Sequence, residues 1–194
     1  MTAAIVLAAG ASTRLGQPKQ LVLLAGETLL ERAIRSAREA NCSPIVVVLG
    51  ADYVQILGNA ALGDAIPVIN HEWGEGMASS IRLGIRTLDL IAKHADSAII
   101  MTCDQPAVTP PHLRALISAG ESSSAITASA YAGRRGVPAY FPAPTFPHLI
   151  QLIGDAGARA LIRNAPAIDL PHGELDIDTP ADLVEAERLS SSLQ

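Results

Sequence analysis

Short apolar runs alternate along the chain with longer segments in which apolar residues recur at helical spacing. Such runs, rich in β-branched residues, are typical of parallel strands that are covered on both faces. In the first half of the chain they predict strands at Ala3–Ala9, Ile45–Leu49, Ile66–Ile69 and Ser97–Thr102. The spacing between them predicts helices from Thr28 to about Ala40 and from about Ser79 to Lys93.

Capping signals mark several predicted helix ends. Thr28 and, three residues later, Glu31 form a capping box, and Asp52 is the N-cap candidate for the helix after the second strand. Thr109 precedes two prolines that favour a first helical turn, and Gly120 can end that helix. The helices therefore alternate with the strands, as in an α/β protein with a parallel sheet.

The alternation weakens after residue 125, where the elements become shorter. The remaining predicted elements are strands at Ile126–Ala130 and Val137–Phe141, helices at Phe146–Ile153 and Ala156–Asn164, a strand near Ile168, and a last helix that Thr179 caps. We therefore predict a three-layer α/β sandwich with a mostly parallel, Rossmann-like sheet and a small β excursion. The length fits a single domain over residues 1–194.

The composition excludes several classes of partner. A formal net charge of −5 and a pI near 5.5 leave no basic footprint for a nucleic-acid backbone. No apolar run reaches the ~18 residues that a membrane span needs. Cys42 and Cys103 lack the spacing of a zinc site or a disulfide framework, and no cleavable signal precedes the first strand. We therefore expect a cytoplasmic protein with no nucleic-acid or membrane partner.

The first strand runs directly into a cationic glycine loop, Gly10-Ala11-Ser12-Thr13-Arg14-Leu15-Gly16-Gln17-Pro18-Lys19. Glycines let a backbone approach a ligand closely, free N–H groups suit an anion, and Arg14 and Lys19 supply positive charge. A Walker loop is excluded because Gln17 follows Gly16, and Ser12 breaks the dinucleotide-binding fingerprint. The loop therefore belongs to neither of these common phosphate-binding motifs.

From Leu7 to Lys19 the chain resembles the nucleotidylyltransferase signature Leu-Ala-Ala-Gly-x-Ser-x-Arg-x-Gly-x-x-Lys at every specified position. A plain strand-to-helix turn with two exposed cations is the structural alternative. Leu15 departs from the methionine of many members, which is a volume-conserving change. The resemblance implies nucleotide-binding roles for Leu7, Ala8, Ala9, Gly10, Ser12, Arg14, Gly16 and Lys19.

Later segments extend this resemblance over nearly the whole chain. Residues 76–80, Gly-Met-Ala-Ser-Ser, resemble a nucleotide-contacting segment, which implies contacts from Gly76, Ser79 and Ser80. Asp104 in Cys-Asp-Gln-Pro resembles a metal-binding aspartate, and Asp178 in Asp-Ile-Asp-Thr-Pro a second metal ligand. With Gly-Val-Pro at 136–138 and Gly-Asp-Ala-Gly-Ala-Arg at 154–159, the chain is similar to molybdenum cofactor cytidylyltransferases. Such enzymes transfer CMP from CTP to the phosphate of molybdopterin and release pyrophosphate.

The chemistry of that reaction gives the charged positions a physical reason. An acceptor phosphate attacks the α-phosphorus of a nucleoside triphosphate, so the site must neutralise and align several anions. The resemblance implies catalytic roles for Arg14, Lys19 and Asp104, with the two cations on the triphosphate. Mg²⁺ held by Asp104 and Asp178 is the expected cofactor. No general base is expected, because the acceptor phosphate is already anionic, and a molybdoenzyme is the further partner that the resemblance implies.

Several of these side chains also have a structural alternative. Asp104 would suit a turn before a proline, and Asp178 would suit the start of the last helix. Ser79 and Ser80 would suit N-caps, and Trp73 is expected to pack within its loop. Two roles are possible for Arg134, Arg135 and Arg159: they bind the acceptor, or they are solvated surface charges.

The nucleobase is predicted from Ala9. Its methyl is expected to lie near the base, whereas guanylyl-transferring relatives resemble Leu-Ala-Gly-Gly here, so the smaller CTP is the expected donor. The alternatives are GMP transfer to molybdopterin, nucleotide transfer to another small phosphorylated acceptor, and a non-catalytic nucleotide or cofactor carrier on the same fold. Lys19, Asp104 and Asp178 together disfavour the carrier.

Overall fold

Strands and helices alternate through most of the chain, which the computed structural model describes over residues 1–93, 95–155 and 157–192. The strands are β1 (Thr2–Ala8), β2 (Leu23–Leu24), β3 (Glu27–Thr28), β4 (Ile45–Leu49), β5 (Ile66–Ile69), β6 (Ser97–Thr102), β7 (Thr127–Tyr131), β8 (Arg134–Pro142) and β9 (Ala167–Asp169). The helices are α1 (Leu29–Glu39), α2 (Tyr53–Asn59), α3 (Met77–Ile91), α4 (Pro110–Ser123), α5 (Phe146–Ile150), α6 (Arg159–Ile162) and α7 (Pro180–Ser192).

Among the described residues, seven strands form one sheet in the order β5-β4-β1-β6-β8-β7-β9. β1 pairs in parallel with β4 and β6, and β5 pairs in parallel with β4. β8 runs antiparallel to both of its neighbours, and β9 runs parallel to β7. The predicted fold class, a mostly parallel sheet with a small β excursion, is therefore confirmed, while β2 and β3 form a separate two-stranded ribbon.

Different helices cover the two faces of the central strand β1, because successive strand residues point to opposite faces. One face packs in a core that contains Ala4, Val6, Ile34 of α1, Ile56 of α2 and Leu113 of α4. The other face packs in a core that contains Ala3, Ile5, Ile81 of α3, Leu149 of α5 and Ile162 of α6. The sheet therefore lies between two helical layers, and both faces of β1 are buried.

Several predicted elements have the expected bounds. The observed β4, β5 and β6 coincide with the predicted strands. In the predicted capping box, Thr28 Oγ1 accepts from Glu31 N at 3.2 Å, and Thr28 N donates to the Glu31 carboxylate at 3.1 Å. Thr179 caps the last helix, since its Oγ1 accepts from Asp182 N at 3.4 Å and its N donates to Asp182 Oδ2 at 2.7 Å.

Two predicted helix-end roles are wrong. Asp52 does occupy the predicted N-cap position of α2, but its side chain makes no capping hydrogen bond, and its left-handed backbone with φ 55° differs from the extended backbone of a typical capping residue. Gly120 lies inside α4, which continues to Ser123 before left-handed Ser124. A Cβ at Gly120 would lie 2.1 Å from the ring of Tyr140. Glycine is therefore needed here for close helix-to-sheet packing rather than for ending the helix.

The elements after residue 125 also differ in length from the prediction. β8 begins at Arg134 because the turn before it needs only Ala132 and Gly133, both with positive φ, as in a tight hairpin turn. The observed α5 and α6 are shorter than the predicted helices, and the predicted start of the second, Ala156, lies outside the described residues. No helix in the described part of the chain is long and apolar enough to cross a membrane.

A buried histidine joins the first turn of α4 to β7. Ser129 Oγ donates to Pro138 O at 2.6 Å, so it accepts from His112 Nε2, which lies 2.8 Å away. Burial lowers the pKa of His112, and the positive end of the helix dipole also disfavours an imidazolium at this position. His112 is therefore a neutral hydrogen-bond donor inside the fold.

We expect acidification to destabilise the protein through His112. The unfolded imidazole takes up a proton below its ordinary pKa of about 6.5, whereas the folded one resists protonation, so stability falls as the pH falls through this range. Between about pH 7.5 and pH 5.5, the urea midpoint should fall more for wild type than for His112→Gln. The matched control His148→Gln removes an exposed imidazole and should behave like wild type. Equal losses in all three proteins would contradict this account.

Candidate active site

Three separate segments of the chain meet at one edge of the sheet. The glycine loop follows the carboxyl end of β1, Asp104 follows the end of the neighbouring β6, and Asp178 lies just before α7. Ile177 N donates to Asp104 O at 2.9 Å, which joins the second and third segments. Ligands of open α/β sheets bind outside the carboxyl ends of the strands, so this edge is the candidate active site.

Side-chain hydrogen bonds fold the glycine loop back toward the sheet. Ser12 Oγ accepts from Lys19 N at 2.7 Å, and the buried Gln20 donates from Nε2 to Ala8 O at 2.7 Å. Gly16 has a φ of 70°, in the left-handed region that glycine adopts without strain. Ser12 and Gly16 therefore shape the loop, and Lys19 is turned toward the aspartates.

The ammonium of Lys19 lies between two carboxylates. Its Nζ is 2.8 Å from Asp104 Oδ2 and 2.5 Å from Asp178 Oδ1. Arg14 Nη2 lies 2.7 Å from the other carboxylate oxygen of Asp178. The structure thus brings together all four charged residues of the sequence-predicted site, with both cations paired to carboxylates.

Burial and mutual charge set the protonation of this cluster. Burial alone would lower the pKa of Lys19, but the charges and hydrogen bonds of Asp104 and Asp178 outweigh burial and raise it. Burial, followed by repulsion from Asp104 and Asp178, raises the pKa of the nearby Asp176 to about 6. Asp104 Oδ1 is buried and has no hydrogen-bond partner among the described residues. The cluster therefore holds a permanent ammonium and one unsatisfied carboxylate oxygen.

A cavity of about 430 Å³ opens beside the cluster. The sequence-predicted residues that line it are Leu7, Ala8, Ala9, Gly10, Lys19, Gly76, Ser80 and Asp104. Trp73 lies in its wall and is 40% exposed, so it does not simply pack within its loop. Ser12, Arg14, Gly16, Ser79 and Asp178 are not part of this wall.

Ser79 and Ser80 lie within α3 and not at its N-cap, because the helix already begins at Met77. Both are buried, and Asn70 Nδ2 donates to their hydroxyls at 2.8 Å and 2.9 Å. Ser79 Oγ also donates toward Gly76 O at 2.8 Å. Ser79 therefore holds the preceding loop against the helix, whereas Ser80 also reaches the cavity.

Gly76 connects that loop to a distant part of the chain. Its φ is 117°, and an added Cβ would lie 2.7 Å from Gly154 O. Ala78 N donates to this carbonyl at 3.1 Å, and Met77 N lies 3.4 Å from Asp155 Oδ1. The first turn of α3 is therefore held directly against the 154–155 segment.

A second cavity of about 210 Å³ adjoins the first, and its wall shares Asp104 and Asp155 with it. Arg134, Arg135 and Arg159 lie in this second wall, and all three are exposed residues. The Arg134 guanidinium lies 5.3 Å from the centre of the Tyr131 ring, and Arg135 Nε donates to Ala165 O at 2.6 Å. The two cavities thus meet at carboxylates, and the smaller one combines the three arginines with Asp104, Asp155 and Asp176.

Sequence reasoning did not assign Gln20, Trp73, Tyr131 or Asp176 to the site. Asp176 had a usable signal, because residues i and i+2 of an extended segment point the same way, and buried Ile177 separates it from Asp178. Gln20 and Tyr131 carry no comparable local pattern. They reach the site through hydrogen bonds that form only in the folded chain.

Residues 4–170 match the sequence profile of the MobA-like NTP transferase domain. The chain is 34% identical to nicotine blue oxidoreductase of Paenarthrobacter nicotinovorans, over 84% of this chain and 81% of that protein. It is 30% identical to the purine catabolism protein PucB of Bacillus subtilis (strain 168), over 96% of each. The structure of Rv0371c from Mycobacterium tuberculosis H37Rv in complex with manganese is similar, with a TM-score of 0.78 and 27% identity over 96% of this chain and 98% of that one.

We expect Gly76→Ala to destabilise the protein by at least about 2 kcal/mol, because a side chain is strained at this φ and has no room. Gly74→Ala is the matched control, since a Cβ there would meet no atom within 4 Å. Its stability should stay within about 1 kcal/mol of wild type. Urea unfolding of both variants measures the difference, and similar stabilities would show that α3 is not locked against Gly154.

Proposed function

Because the chain belongs to the family of MobA-like NTP transferase domains and is a nucleotidyltransferase, we propose that it transfers CMP from CTP to the phosphate of a molybdopterin-type acceptor. The observation that carries the proposal is the junction of two cavities at Asp104. A transfer between two phosphates requires both substrates to meet at one point, in line and with their charge neutralised. The larger cavity suits the nucleotide, and the smaller, arginine-lined one suits the phosphorylated acceptor.

The part of the larger cavity next to Ala9 and Trp73 is the proposed site of the nucleobase, and its shape favours a pyrimidine. An added Cβ at Gly50 would lie 2.8 Å from Ala9 Cβ and 2.7 Å from Trp73 Cβ, so these three residues pack closely together. The indole of Trp73 provides an apolar surface for a base, and the Ala9 methyl limits the space beside it. A cytosine therefore fits this end better than a guanine.

Lys19 and Arg14 are the proposed triphosphate ligands. Both cations already lie at the cluster of carboxylates, where an incoming phosphate chain can take over their hydrogen bonds. A Cβ added at Gly10 would meet no atom within 4 Å, so the loop backbone is also open to phosphate oxygens. The role assigned to Ser12 and Gly16 is to hold this loop in shape.

The residues fit a divalent cation, and we assign Mg²⁺ to them. Mg²⁺ commonly binds one or two carboxylates and fills its other positions with phosphate and water oxygens. The buried, unpartnered Asp104 Oδ1 and the adjacent Asp178 provide such a pair, whereas no cluster of three or more His, Cys, Asp or Glu side chains occurs in the described residues. Mg²⁺ held there would neutralise charge on the triphosphate.

In the proposed reaction, an oxygen of the acceptor phosphate attacks the α-phosphorus of CTP. One P–O bond forms, the bond from the α-phosphorus to the bridging oxygen breaks, and its electron pair leaves with pyrophosphate. Lys19 stabilises the charge that grows on the departing group, because its ammonium stays protonated in this cluster. The attacking oxygen is already negative, so no side chain has to remove a proton.

With molybdopterin as acceptor and CTP and GTP at equal concentrations, we expect CTP to be used about 10- to 200-fold faster. Pyrophosphate release and product analysis measure the ratio. Ala9→Gly should lower the ratio of CTP to GTP turnover, because it enlarges the site of the base. Ala11 is exposed, so Ala11→Gly is the matched control and should leave this ratio unchanged. A wild-type preference for GTP would contradict the proposal and support GMP transfer. Turnover only with another phosphorylated compound would show that molybdopterin is not the acceptor.

We expect Lys19→Met to lower kcat by about 10²- to 10³-fold, as the loss of an electrostatic stabiliser does. It should also lower the Tm in metal-free buffer, because it leaves Asp104 and Asp178 without their shared counter-charge. Added Mg²⁺ should then raise the Tm of Lys19→Met more than that of wild type. Asp104→Asn, which removes a proposed ligand, should lose the Mg²⁺-dependent shift. Equal Mg²⁺-dependent changes of Tm in all three proteins would show that the metal does not bind to these carboxylates.

A further inference from the structure

A third cavity lies apart from the candidate active site. Its volume is about 310 Å³, and it shares no lining residue with the two cavities described above. Its wall combines α1, the turn after β6 and α7, and includes Arg32, Pro106, Ala107, Pro171, Ala186 and Leu189. The cavity therefore presents one guanidinium, together with Thr109, His172 and Ser190, within a largely apolar wall.

Arg32 differs from the other two arginines of α1. Arg35 pairs with Glu27 at 2.9 Å, and Arg38 Nε donates to Asp64 at 2.9 Å. Within the described part of the chain, the one hydrogen bond of Arg32 runs from Nη2 to Pro106 O at 3.3 Å, and no carboxylate pairs with it. Its Nε is buried without a partner. Most of the five donors of this guanidinium are thus unused inside the chain.

The energetics favour an external partner for this group. Burial, and then the charge of Arg35, lower the pKa of Arg32, and the opposing charge of Glu27 does not outweigh them. An arginine nevertheless stays protonated in proteins, so it cannot relieve this cost by losing its proton. Carboxylates and phosphates match the planar donor fork and form strong, charge-assisted hydrogen bonds with it.

We propose that this third cavity binds a small organic anion, with its carboxylate or phosphate on Arg32 and its apolar part against the alanine, proline and leucine side chains. A cavity of this size suits a small molecule, and such sites typically combine an apolar wall with a few polar groups. Pro106 follows Asp104 in the same turn, and α7 begins just after Asp178. The bound anion would therefore contact both segments that carry the carboxylates of the active site, without entering it.

Titration calorimetry of the full chain with 4-phenylbutyrate tests the proposal, with neutral 4-phenylbutyramide as the matched probe. We expect binding in the millimolar range for an anion of this size, and at least about tenfold weaker binding of the amide. Arg32→Met should lower the affinity for 4-phenylbutyrate about tenfold or more. Arg38→Met removes an arginine of the same helix that already has a carboxylate partner, and it should bind like wild type.

Several outcomes would overturn the proposal. These are no heat of binding with 4-phenylbutyrate, equal binding of the acid and the amide, or equal binding by wild type and Arg32→Met. Inorganic phosphate that binds as tightly as 4-phenylbutyrate, and loses this binding in Arg32→Met, would overturn the apolar part of the site. If Arg32→Met does not fold, Arg32→Lys keeps the charge but loses the planar fork, and it should still bind several-fold more weakly than wild type.

Discussion

The geometry of the active site depends on one ammonium held between two carboxylates. Lys19 comes from the loop after β1, Asp104 from the turn after β6, and Asp178 from the segment before α7. Without a cation between them, the two carboxylates would repel each other across a partly buried space. The salt bridges of Lys19 therefore close the edge of the sheet and bring together segments that are far apart in the sequence. They also keep a cation at the point where the proposed reaction requires phosphate charge to be neutralised.

The fold was largely predictable because its signals are local. Buried parallel strands appear as continuous apolar runs, and a capping box needs only Thr28 and Glu31. The errors arose where tertiary contacts decide the outcome. Gly120 looks like a helix end, but its glycine is required by the ring of Tyr140, which lies in a strand twenty residues further on. Similarly, the turn before β8 needs only Ala132 and Gly133. The strand therefore begins at Arg134, in a charged segment whose composition is typical of a loop.

The charged cluster was also predictable, because the nucleotidylyltransferase signature contains Arg14 and Lys19, and two later motifs contain Asp104 and Asp178. The sequence did not predict which residues of the motifs hold the loops in shape and which face the cavity. Ser12 and Ser79 belong to the recognised motifs, yet both make hydrogen bonds within the chain, to Lys19 N and to the loop before α3. Ser80, the next residue, reaches the cavity. A motif identifies the residues of such a loop, but only the folded chain determines which of them face outward.

The two cavities are built from different parts of the fold. For this reason, the resemblance indicates the reaction class more directly than it indicates the acceptor. The larger cavity is formed by the ends of the central parallel strands and by a loop that recurs as a signature, so the resemblance points directly to a nucleoside triphosphate. The smaller one is formed by the antiparallel β7–β8 hairpin and α6, where the hydrophobic alternation weakens. Arg134 and Arg159 can be exchanged without disturbing the core, because they are exposed, whereas Arg135 also donates to Ala165 O. Under the proposed function, a change of acceptor therefore requires changes on this side only, while the Lys19 cluster and the proposed nucleotide side stay the same.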